Sequence, residues 1–322
     1  MEYYDIAETW SADRIREEQT RRLRAVVAQA RKAPFYARIL DEAGLSPEDI
    51  ACPEDIRRLP FTSKDDLRAQ YPDRLCCVPR ADLVRMHCSS GTTGSPVAIC
   101  YTRKDVEAWA DLMARSMFAA GIRREDTFQN MSGYGLFTGG LGIHYGAERL
   151  GCMTIPAGAG NTRRQIKLIK DFGVTAVHIL PSYALHVARQ IEEEGEDPRA
   201  LPLRIALVGA EPYTEETRRR IESMLDLRVY NSFGMSEMNG PGVGIECEAQ
   251  SGLHIWEDAY ILEIIDPETG RTLPDGEVGE LVMTTLTREG MPLLRYRTHD
   301  LTRIIPGDCA CGRRHRRIDR IL

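Results

Sequence analysis

Hydrophobic and polar positions follow a helical period in the first part of the chain. Residues 11–33 place their apolar side chains on one helical stripe, behind a suitable N-cap, Ser11. Thr62 or Ser63 then caps a short acidic helix. The pattern therefore predicts a helical N-terminal region over residues 1–83, packed on the rest of the protein.

From residue 84 onward, short apolar segments alternate with helical ones. The predicted strands are 84–88, 127–131, 152–155, 174–180, 204–208 and 227–230. The predicted helices are 105–119, 139–150, 162–172, 183–194 and 214–225. Such alternation favours an α/β fold in which mostly parallel sheets are covered by helices on both faces. We assign this core to residues 84–240.

After residue 240 the pattern changes to strands without helices. Residues 259–265, 279–285 and 301–305 are strand-like, and turn residues such as Asp266-Pro267 separate them. We therefore expect a smaller β-rich subdomain over residues 241–322, appended to the α/β core.

Composition limits the class of protein. Hydrophobic residues make up 43% of the 322 residues and charged residues 28%, which is typical of globular proteins. A formal net charge of −6 argues against a general nucleic-acid binder. The apolar runs are too short to cross a bilayer, and the N-terminus lacks a basic-then-apolar start. We expect a cytoplasmic protein whose nine cysteines are reduced.

A loop rich in hydroxyls and glycines follows the first predicted strand. It reads Ser89-Ser90-Gly91-Thr92-Thr93-Gly94-Ser95-Pro96. Glycines allow close backbone approach, so that amide and hydroxyl donors can surround phosphate oxygens. An ordinary polar loop is the alternative interpretation, and the Walker A pattern is absent.

Five further segments along the chain are Tyr134-Gly135-Leu136-Phe137-Thr138-Gly139-Gly140, His144-Tyr145-Gly146-Ala147-Glu148-Arg149, Gly209-Ala210-Glu211-Pro212, Asn231-Ser232-Phe233-Gly234-Met235-Ser236-Glu237 and Tyr296-Arg297-Thr298-His299-Asp300. Together with the loop, they resemble the adenylate-forming superfamily of acyl-CoA synthetases, and in particular its phenylacetate-CoA ligase branch. The segments occur in the family's order over most of the chain, which makes the combination far more specific than any one of them.

The resemblance implies that ATP activates an aryl carboxylic acid, which then forms a thioester with coenzyme A. Thr92, Thr93 and Glu237 are the implied catalytic residues, with Glu237 holding Mg²⁺. The implied nucleotide-binding residues are Ser89, Ser90, Gly91, Thr92, Thr93, Gly94, Gly209, Ala210, Glu211, Pro212, Asn231, Ser232, Phe233, Gly234, Met235, Ser236 and Asp300. By the same resemblance, Phe233 lies against adenine and Asp300 accepts hydrogen bonds from the ribose.

Small and aromatic residues indicate where the ring of the acid is bound. The predicted substrate pocket consists of Tyr134, Gly135, Phe137, Ala157 and Gly158. Glycines leave room for a flat ring and aromatic side chains supply contact area. The alternative is that these glycines only form turns.

Three cysteines and one histidine form a second candidate site. Cys247, His254, Cys309 and Cys311 would satisfy a tetrahedral structural Zn²⁺ site. Four unrelated reduced side chains are the alternative, because the spacing is not that of a standard zinc finger.

The chain departs from the family at the phosphate loop and at its end. Members often carry a lysine at the end of the loop, where this sequence reads Ser95-Pro96-Val97-Ala98. The family also continues into a small C-terminal lobe that carries a catalytic lysine, and no lysine follows Lys170 here. We therefore expect a polypeptide that binds ATP but adenylates slowly by itself.

Two other functions remain compatible with the sequence. One is a related synthetase that transfers AMP without using coenzyme A, and the other is a nucleotide-binding fragment with impaired catalysis. The resemblance also leaves a homodimer open.

Overall fold

The computed structural model describes residues 2–89 and 96–322. The α-helices of these residues are α1 (Ala12–Ala30), α2 (Pro34–Glu42), α3 (Lys64–Ala69), α4 (Arg103–Ala119), α5 (Thr138–Leu150), α6 (Thr162–Phe172), α7 (Pro181–Glu193) and α8 (Glu215–Leu225). Their strands are β1 (Leu83–Cys88), β2 (Ala98–Thr102), β3 (Thr127–Asn130), β4 (Met153–Ile155), β5 (Ala176–Ile179), β6 (Ile205–Val208), β7 (Arg228–Met235), β8 (Gly240–Glu246), β9 (Leu253–Ile255), β10 (Tyr260–Ile265), β11 (Gly279–Thr285), β12 (Tyr296–Thr302), β13 (Ile304–Ile305) and β14 (Arg317–Ile318).

Capping side chains define the N-terminal helices. The Ser11 hydroxyl accepts a hydrogen bond from the backbone of Arg14 and begins α1, as predicted. Ser63 begins α3 and forms a capping box with Asp66. The apolar sides of α1 and α2 are buried in the same core as helix α4 and strand β11. The N-terminal helices therefore share one hydrophobic core with the rest of the described chain.

A nine-stranded sheet forms the centre of the described structure. Its strand order is β13-β14-β9-β8-β7-β6-β5-β3-β4. Strands β4, β3, β5, β6 and β7 pair in parallel. The remaining strands continue the sheet in antiparallel fashion. The α/β fold class is confirmed.

Helices cover both faces of the parallel strands. Val177 and Val208 point into a core that also contains apolar residues of α6, α7 and α8. Their strand neighbours Ala176 and Leu207 point into the opposite core, which α4 and α5 share. Successive residues of a strand face opposite sides, so this division follows directly from the strand geometry.

The region after residue 240 contributes to two sheets. Strands β10, β11 and β12 form a small antiparallel sheet, whereas β8, β9, β13 and β14 extend the large one. The prediction that residues 301–305 form one strand is wrong, because β12 begins at Tyr296 and β13 follows it. The division into three regions at residues 83 and 240 stays a proposal. None of the described helices combines the length and the apolar character that a membrane crossing requires.

Candidate functional site

Two cavities open next to each other beyond the carboxyl ends of the parallel strands. The first, of about 690 Å³, is bordered by residues that follow β6, by the second half of β7 and by β12. The second, of about 550 Å³, reaches the ends of β3 and β5. They share the six lining residues Gly209, Ala210, Glu211, Ser232, Gly234 and Met235. Ligands of open α/β sheets bind at this edge, so the two cavities are the candidate site.

Most of the predicted nucleotide-binding residues that the structure describes meet at these cavities. The first cavity is lined by Gly209, Ala210, Glu211, Pro212, Asn231, Ser232, Phe233, Gly234, Met235, Glu237 and Asp300. Ser236 lines the second cavity. Segments that lie up to 91 residues apart in sequence, from Gly209 to Asp300, thus border one space. Their roles stay predictions.

Two glycines of these segments are required by the packing of neighbouring strands. A Cβ atom at Gly209 would lie 2.3 Å from the carbonyl oxygen of Ser232. A Cβ atom at Gly234 would lie 1.9 Å from the carbonyl oxygen of Gly240. Both distances are shorter than any van der Waals contact, so a larger residue would force the strands apart.

The carboxylate of Glu237 is held at the wall of the first cavity. Glu237 is 4% exposed and accepts a hydrogen bond of 3.2 Å from the hydroxyl of Tyr296. Lys64 Nζ lies 3.5 Å from the same carboxylate oxygen. Burial and the nearby charge of Glu237 raise the pKa of Tyr296, so its hydroxyl remains a donor at neutral pH.

A second carboxylate lies close enough to interact with the first. Burial and the charge of Glu237 raise the pKa of Asp300 above its ordinary value. The backbone of Asp300 donates to the hydroxyl of Thr298 at 3.1 Å, which fixes the turn that presents the side chain. Two neighbouring carboxylates in a partly closed cavity favour binding of a cation or of hydroxyl donors.

The carboxylate of Glu211 is engaged elsewhere. It accepts hydrogen bonds from the hydroxyl and the backbone of Ser182, at the start of α7. Ala210, one residue earlier, adopts a left-handed backbone with φ of 63°. Residues 209–212 line the first cavity at this turn.

The predicted substrate pocket is only partly assembled at the second cavity. Phe137 lines it, together with Ala159, which follows the predicted Gly158 closely. Tyr134, Gly135, Ala157 and Gly158 are not among its lining residues. The hydroxyl of Tyr134 instead lies 3.2 Å from His144 Nδ1 and accepts a hydrogen bond of 3.1 Å from Asn130. The ring of Tyr134 supports the turn at Gly158, where an added Cβ would contact it at 3.9 Å.

The phosphate-loop prediction falls largely on residues that are not described. Ser90, Gly91, Thr92, Thr93 and Gly94 lie outside the described residues. Ser89 is described, and its hydroxyl accepts a hydrogen bond of 3.1 Å from the backbone of Val97. This contact joins the residue after β1 to the residue before β2, next to the antiparallel pairing of these strands.

Sequence reasoning missed several residues that line the first cavity. Lys64, at the first position of α3, reaches the cavity from the N-terminal region. Tyr213 lines the same cavity, and its buried hydroxyl has no hydrogen-bond partner in the described part of the chain. Leu253 and the residues 320–322 complete this wall. No local pattern marks these residues, because only the tertiary fold brings them to the cavity.

The predicted metal ligands converge from three separate segments. The ligand atoms of Cys247, His254, Cys309 and Cys311 all lie within 4.8 Å of one another, and all four residues are buried. Cys247 Sγ is 3.7 Å from Cys309 Sγ, and Cys311 Sγ is 3.3 Å from His254 Nε2. Tetrahedral zinc with Zn–S bonds of about 2.3 Å implies sulfur–sulfur separations of about 3.8 Å, which the first distance matches.

Neighbouring groups determine the orientation of His254 and the pKa of Cys311. The other ring nitrogen of His254, Nδ1, lies 3.1 Å from the carbonyl oxygen of His315, which directs Nε2 towards the sulfur atoms. Hydrogen bonds from Cys247 and His254 lower the pKa of the Cys311 thiol, and the thiolate is the form that binds metal.

Comparison with known proteins shows which family this chain resembles. The sequence profile of the AMP-binding enzymes matches residues 7–286. The phenylacetate-coenzyme A ligase of Pseudomonas putida is 49% identical over 312 residues, which cover 96% of this chain and 71% of that protein. The enzyme of Escherichia coli K12 with the same name is 45% identical, over 98% of this chain and 72% of that protein. The chain belongs to the phenylacetate-coenzyme A ligase family.

A solved structure supports the same assignment for the ligase. A 2-hydroxyisobutyryl-CoA ligase, in complex with its acyl-AMP and CoA, superposes with a TM-score of 0.91 at 32% identity. The superposition covers 97% of this chain and 75% of that one. This protein is therefore an AMP-forming acid–CoA ligase of the adenylate-forming superfamily.

Proposed function

We propose that the ligase activates an aryl carboxylic acid of the phenylacetate type. The observation that supports this most is that two cavities with different lining residues adjoin at one edge of the sheet. One is bordered by the carboxylates of Glu237 and Asp300, and the other by apolar side chains such as Phe137 and Ile143. A nucleotide in the first cavity and an aryl acid in the second would meet at the wall that both share.

The proposed chemistry has two steps. In the first, a carboxylate oxygen of the acid attacks the α-phosphorus of ATP, the bond to the bridging oxygen breaks, and pyrophosphate leaves. In the second, the thiol of coenzyme A loses its proton and attacks the acyl carbon of the adenylate, and AMP leaves. Both steps depend on positioning and on stabilisation of developing charge, which a preformed cavity can supply.

In this proposal each polar group of the first cavity has a separate task. Phe233, which lines the cavity with part of its ring packed on the core, would contact the adenine. Asp300 would accept hydrogen bonds from the ribose hydroxyls. Glu237 would hold Mg²⁺, because its carboxylate is a hard oxygen ligand of the kind this ion prefers. Bound Mg²⁺ would neutralise charge on the phosphate oxygens.

Lys64 is our candidate for the phosphate charge that the loop lacks. The loop ends in Ser95-Pro96-Val97 without a lysine. The ammonium group of Lys64 lines the first cavity and lies 3.5 Å from Glu237. In this proposal it would contact the phosphates from the opposite side, next to the magnesium site.

Titration with ATP tests the role of Glu237. Glu237→Gln should weaken Mg²⁺-dependent ATP binding by about 1.5–3 kcal/mol, the range of a charge-assisted contact. Isothermal titration calorimetry with and without Mg²⁺ measures this loss. Glu216→Gln, an exposed change on α8, is the matched control and should bind ATP like the parent. Equal Mg²⁺-dependent affinities of parent and Glu237→Gln would remove Glu237 from the site.

Product analysis tests the reaction itself. Prolonged incubation with ATP, phenylacetate and coenzyme A should yield phenylacetyl-CoA, AMP and pyrophosphate, at the low rate expected of this polypeptide by itself. Formation of an AMP conjugate that is never converted to a thioester when coenzyme A is present would contradict the proposal. The homodimer also stays a proposal, which light scattering of the purified protein tests.

We further propose that Cys247, His254, Cys309 and Cys311 bind a structural Zn²⁺. Four buried ligand residues support this assignment: Cys247 directly follows β8, His254 lies in β9, and Cys309 and Cys311 lie in the loop between β13 and β14. The ion would add bonds between segments that are already linked by strand pairing, β8 with β9 and β9 with β14.

Metal analysis tests this second proposal. Purified protein should contain one equivalent of zinc, and Cys309→Ser should contain far less and unfold at lower temperature, because binding free energy becomes folding free energy. Cys152→Ser, a buried cysteine outside the cluster, is the control that should retain the metal. Parent protein without metal, after expression in zinc-supplemented medium, would end the proposal.

A further inference from the structure

A histidine lines the second cavity without a role in the chemistry described above. His178 lies near the carboxyl end of β5 and is 6% exposed. Its Nδ1 lies 2.6 Å from the hydroxyl of Ser132, which follows β3. Both residues line the second cavity. The cavity therefore contains a hydrogen-bonded pair between two of the central strands.

The Ser132–His178 pair is held rigidly. The backbone of Met131 donates to the carbonyl oxygen of His178 at 3.1 Å, and the backbone of Ser132 donates to the side chain of Asn130 at 3.1 Å. The side chain of Asn130 donates in turn to the carbonyl oxygen of Gly140. These bonds hold the backbone segments that carry Ser132 and His178.

One nitrogen of the pair remains available. In the described residues, no protein group forms a hydrogen bond with His178 Nε2. A ligand in the second cavity that forms a hydrogen bond with this nitrogen therefore gains affinity. The surrounding residues Met131, Ile143 and Leu180 offer no such partner.

The pair also lies away from the nucleotide. The polar residues Glu211 and Ser232 line both cavities and therefore mark their common border. Ser132 and His178 line only the second cavity. A carboxylate that attacks ATP must lie at the common border, so the pair faces a more distant part of the acid.

The charge state of the histidine indicates what kind of group it binds. Burial lowers the pKa of His178 to about 4, so the ring is neutral at pH 7. A neutral imidazole bonded to a hydroxyl matches a neutral group that both donates and accepts hydrogen bonds. A phenolic hydroxyl, with an ordinary pKa near 10, is such a group.

We propose that the acid used by this ligase carries a ring hydroxyl that hydrogen-bonds to the Ser132–His178 pair. This inference rests on the proposed function, because it takes the second cavity as the acid site. It narrows the substrate class from aryl acids in general to hydroxylated aryl acids. His178 and Ser132 are then residues that determine specificity.

Binding of adenylate analogues tests the inference with this chain alone. The probes are 5′-O-sulfamoyl adenosines that carry phenylacetyl or its ortho-, meta- or para-hydroxy derivatives. One hydroxylated probe should bind about tenfold more tightly than the phenylacetyl probe, the effect of one well-formed hydrogen bond. His178→Leu and Ser132→Ala should each bring this ratio close to one, and His178→Gln should retain part of it.

Controls separate the possible failures. His186→Leu removes an exposed histidine of α7 and should leave the ratio unchanged. If His178→Leu does not fold, as judged by circular dichroism, Ser132→Ala still decides the outcome. A phenylacetyl probe that binds as tightly as every hydroxylated probe overturns the inference and leaves the proposed function intact. Failure of all four probes to bind overturns both.

Discussion

Burial determines the charge of His178 and makes stability depend on pH. Its pKa is about 4 in the folded protein, against an ordinary value of 6.5. Between pH 6.5 and pH 4, the histidine is therefore protonated in the unfolded chain but neutral in the folded protein. The stability that this neutral histidine permits is complete above pH 6.5 and is lost as the pH falls towards 4. At pH 5 the loss should be about 2 kcal/mol.

Urea unfolding at pH 7 and pH 5 measures this effect. The parent protein should lose more unfolding free energy between the two pH values than His178→Gln, by the same 2 kcal/mol or so. Comparing the two proteins cancels the contributions of the other titrating groups. Identical pH dependence in both would show that His178 is accessible to protons in the folded state.

Residues of the site differ in how far the sequence could predict them. Gly209, Gly234 and Glu237 belong to continuous motifs, so their presence at one cavity could be expected from the resemblance. Lys64 could not be found in this way, because 172 residues separate it from Glu237 and only the position of α3 brings the two charges together. His178 reads in the sequence as one more residue of a buried strand.

At the scale of elements, two glycines determine how closely helices α4 and α5 approach. A Cβ atom at Gly142 would lie 2.2 Å from the ring of Trp109. A Cβ atom at Gly146 would lie 2.3 Å from the side chain of Met113. Trp109 cannot move easily, since it is buried and donates to the carbonyl oxygen of Pro241 at 2.8 Å.

We therefore expect Gly142→Ala to destabilise the protein. Alanine favours a helix over glycine by about 1 kcal/mol, but overpacking a tight contact costs about 1–3 kcal/mol. The net change should be a lower midpoint of urea unfolding. Glu148→Ala, an exposed change on the same helix, should alter stability by less than about 0.5 kcal/mol. A more stable Gly142→Ala protein would mean that α5 can shift away from α4.

Elements were predictable where their local pattern was strong. Helix α6 and strand β11 have the bounds that their periodicity predicts. Strand β8 was missed, because Gly240-Pro241-Gly242-Val243-Gly244 has the composition of a loop. It is a strand because it pairs with the second half of β7, which itself extends to Met235 rather than ending at residue 230. Pairing between distant strands overrides local propensity here.

At the scale of the whole molecule, a buried ion pair joins the two ends of the described chain. Arg313 donates to Glu8, and the two side chains are 4% and 0% exposed. The carboxylate of Glu8 also accepts hydrogen bonds from the backbone of Tyr4 and Asp5. Arg313 follows the candidate metal ligand Cys311 by two residues, and the hydroxyl of Tyr3 donates to the carbonyl oxygen of Cys311, so the N-terminal segment lies against the candidate zinc site.

Breaking this ion pair should be costly. Arg313→Ala would leave the Glu8 carboxylate buried without its cation, and the expected loss of unfolding free energy is about 3–5 kcal/mol. Arg314→Ala is the control, since its ion pair with Asp308 is exposed and is worth about 0–1 kcal/mol. Urea unfolding measures the loss of unfolding free energy in both variants. Similar losses would show that the buried ion pair stabilises the protein no more than the exposed one.

The sequence by itself determined the α/β class and the order of the motifs. Both depend on interactions between residues close in the chain: helical and strand periodicity, caps such as Ser63, and short segments such as residues 231–237. It also singled out Cys247, His254, Cys309 and Cys311 as a candidate metal site. The tertiary structure decided that these four converge, that the large sheet continues beyond residue 240, and that Lys64 and His178 line the cavities. These outcomes depend on contacts between distant segments, which local pattern does not encode.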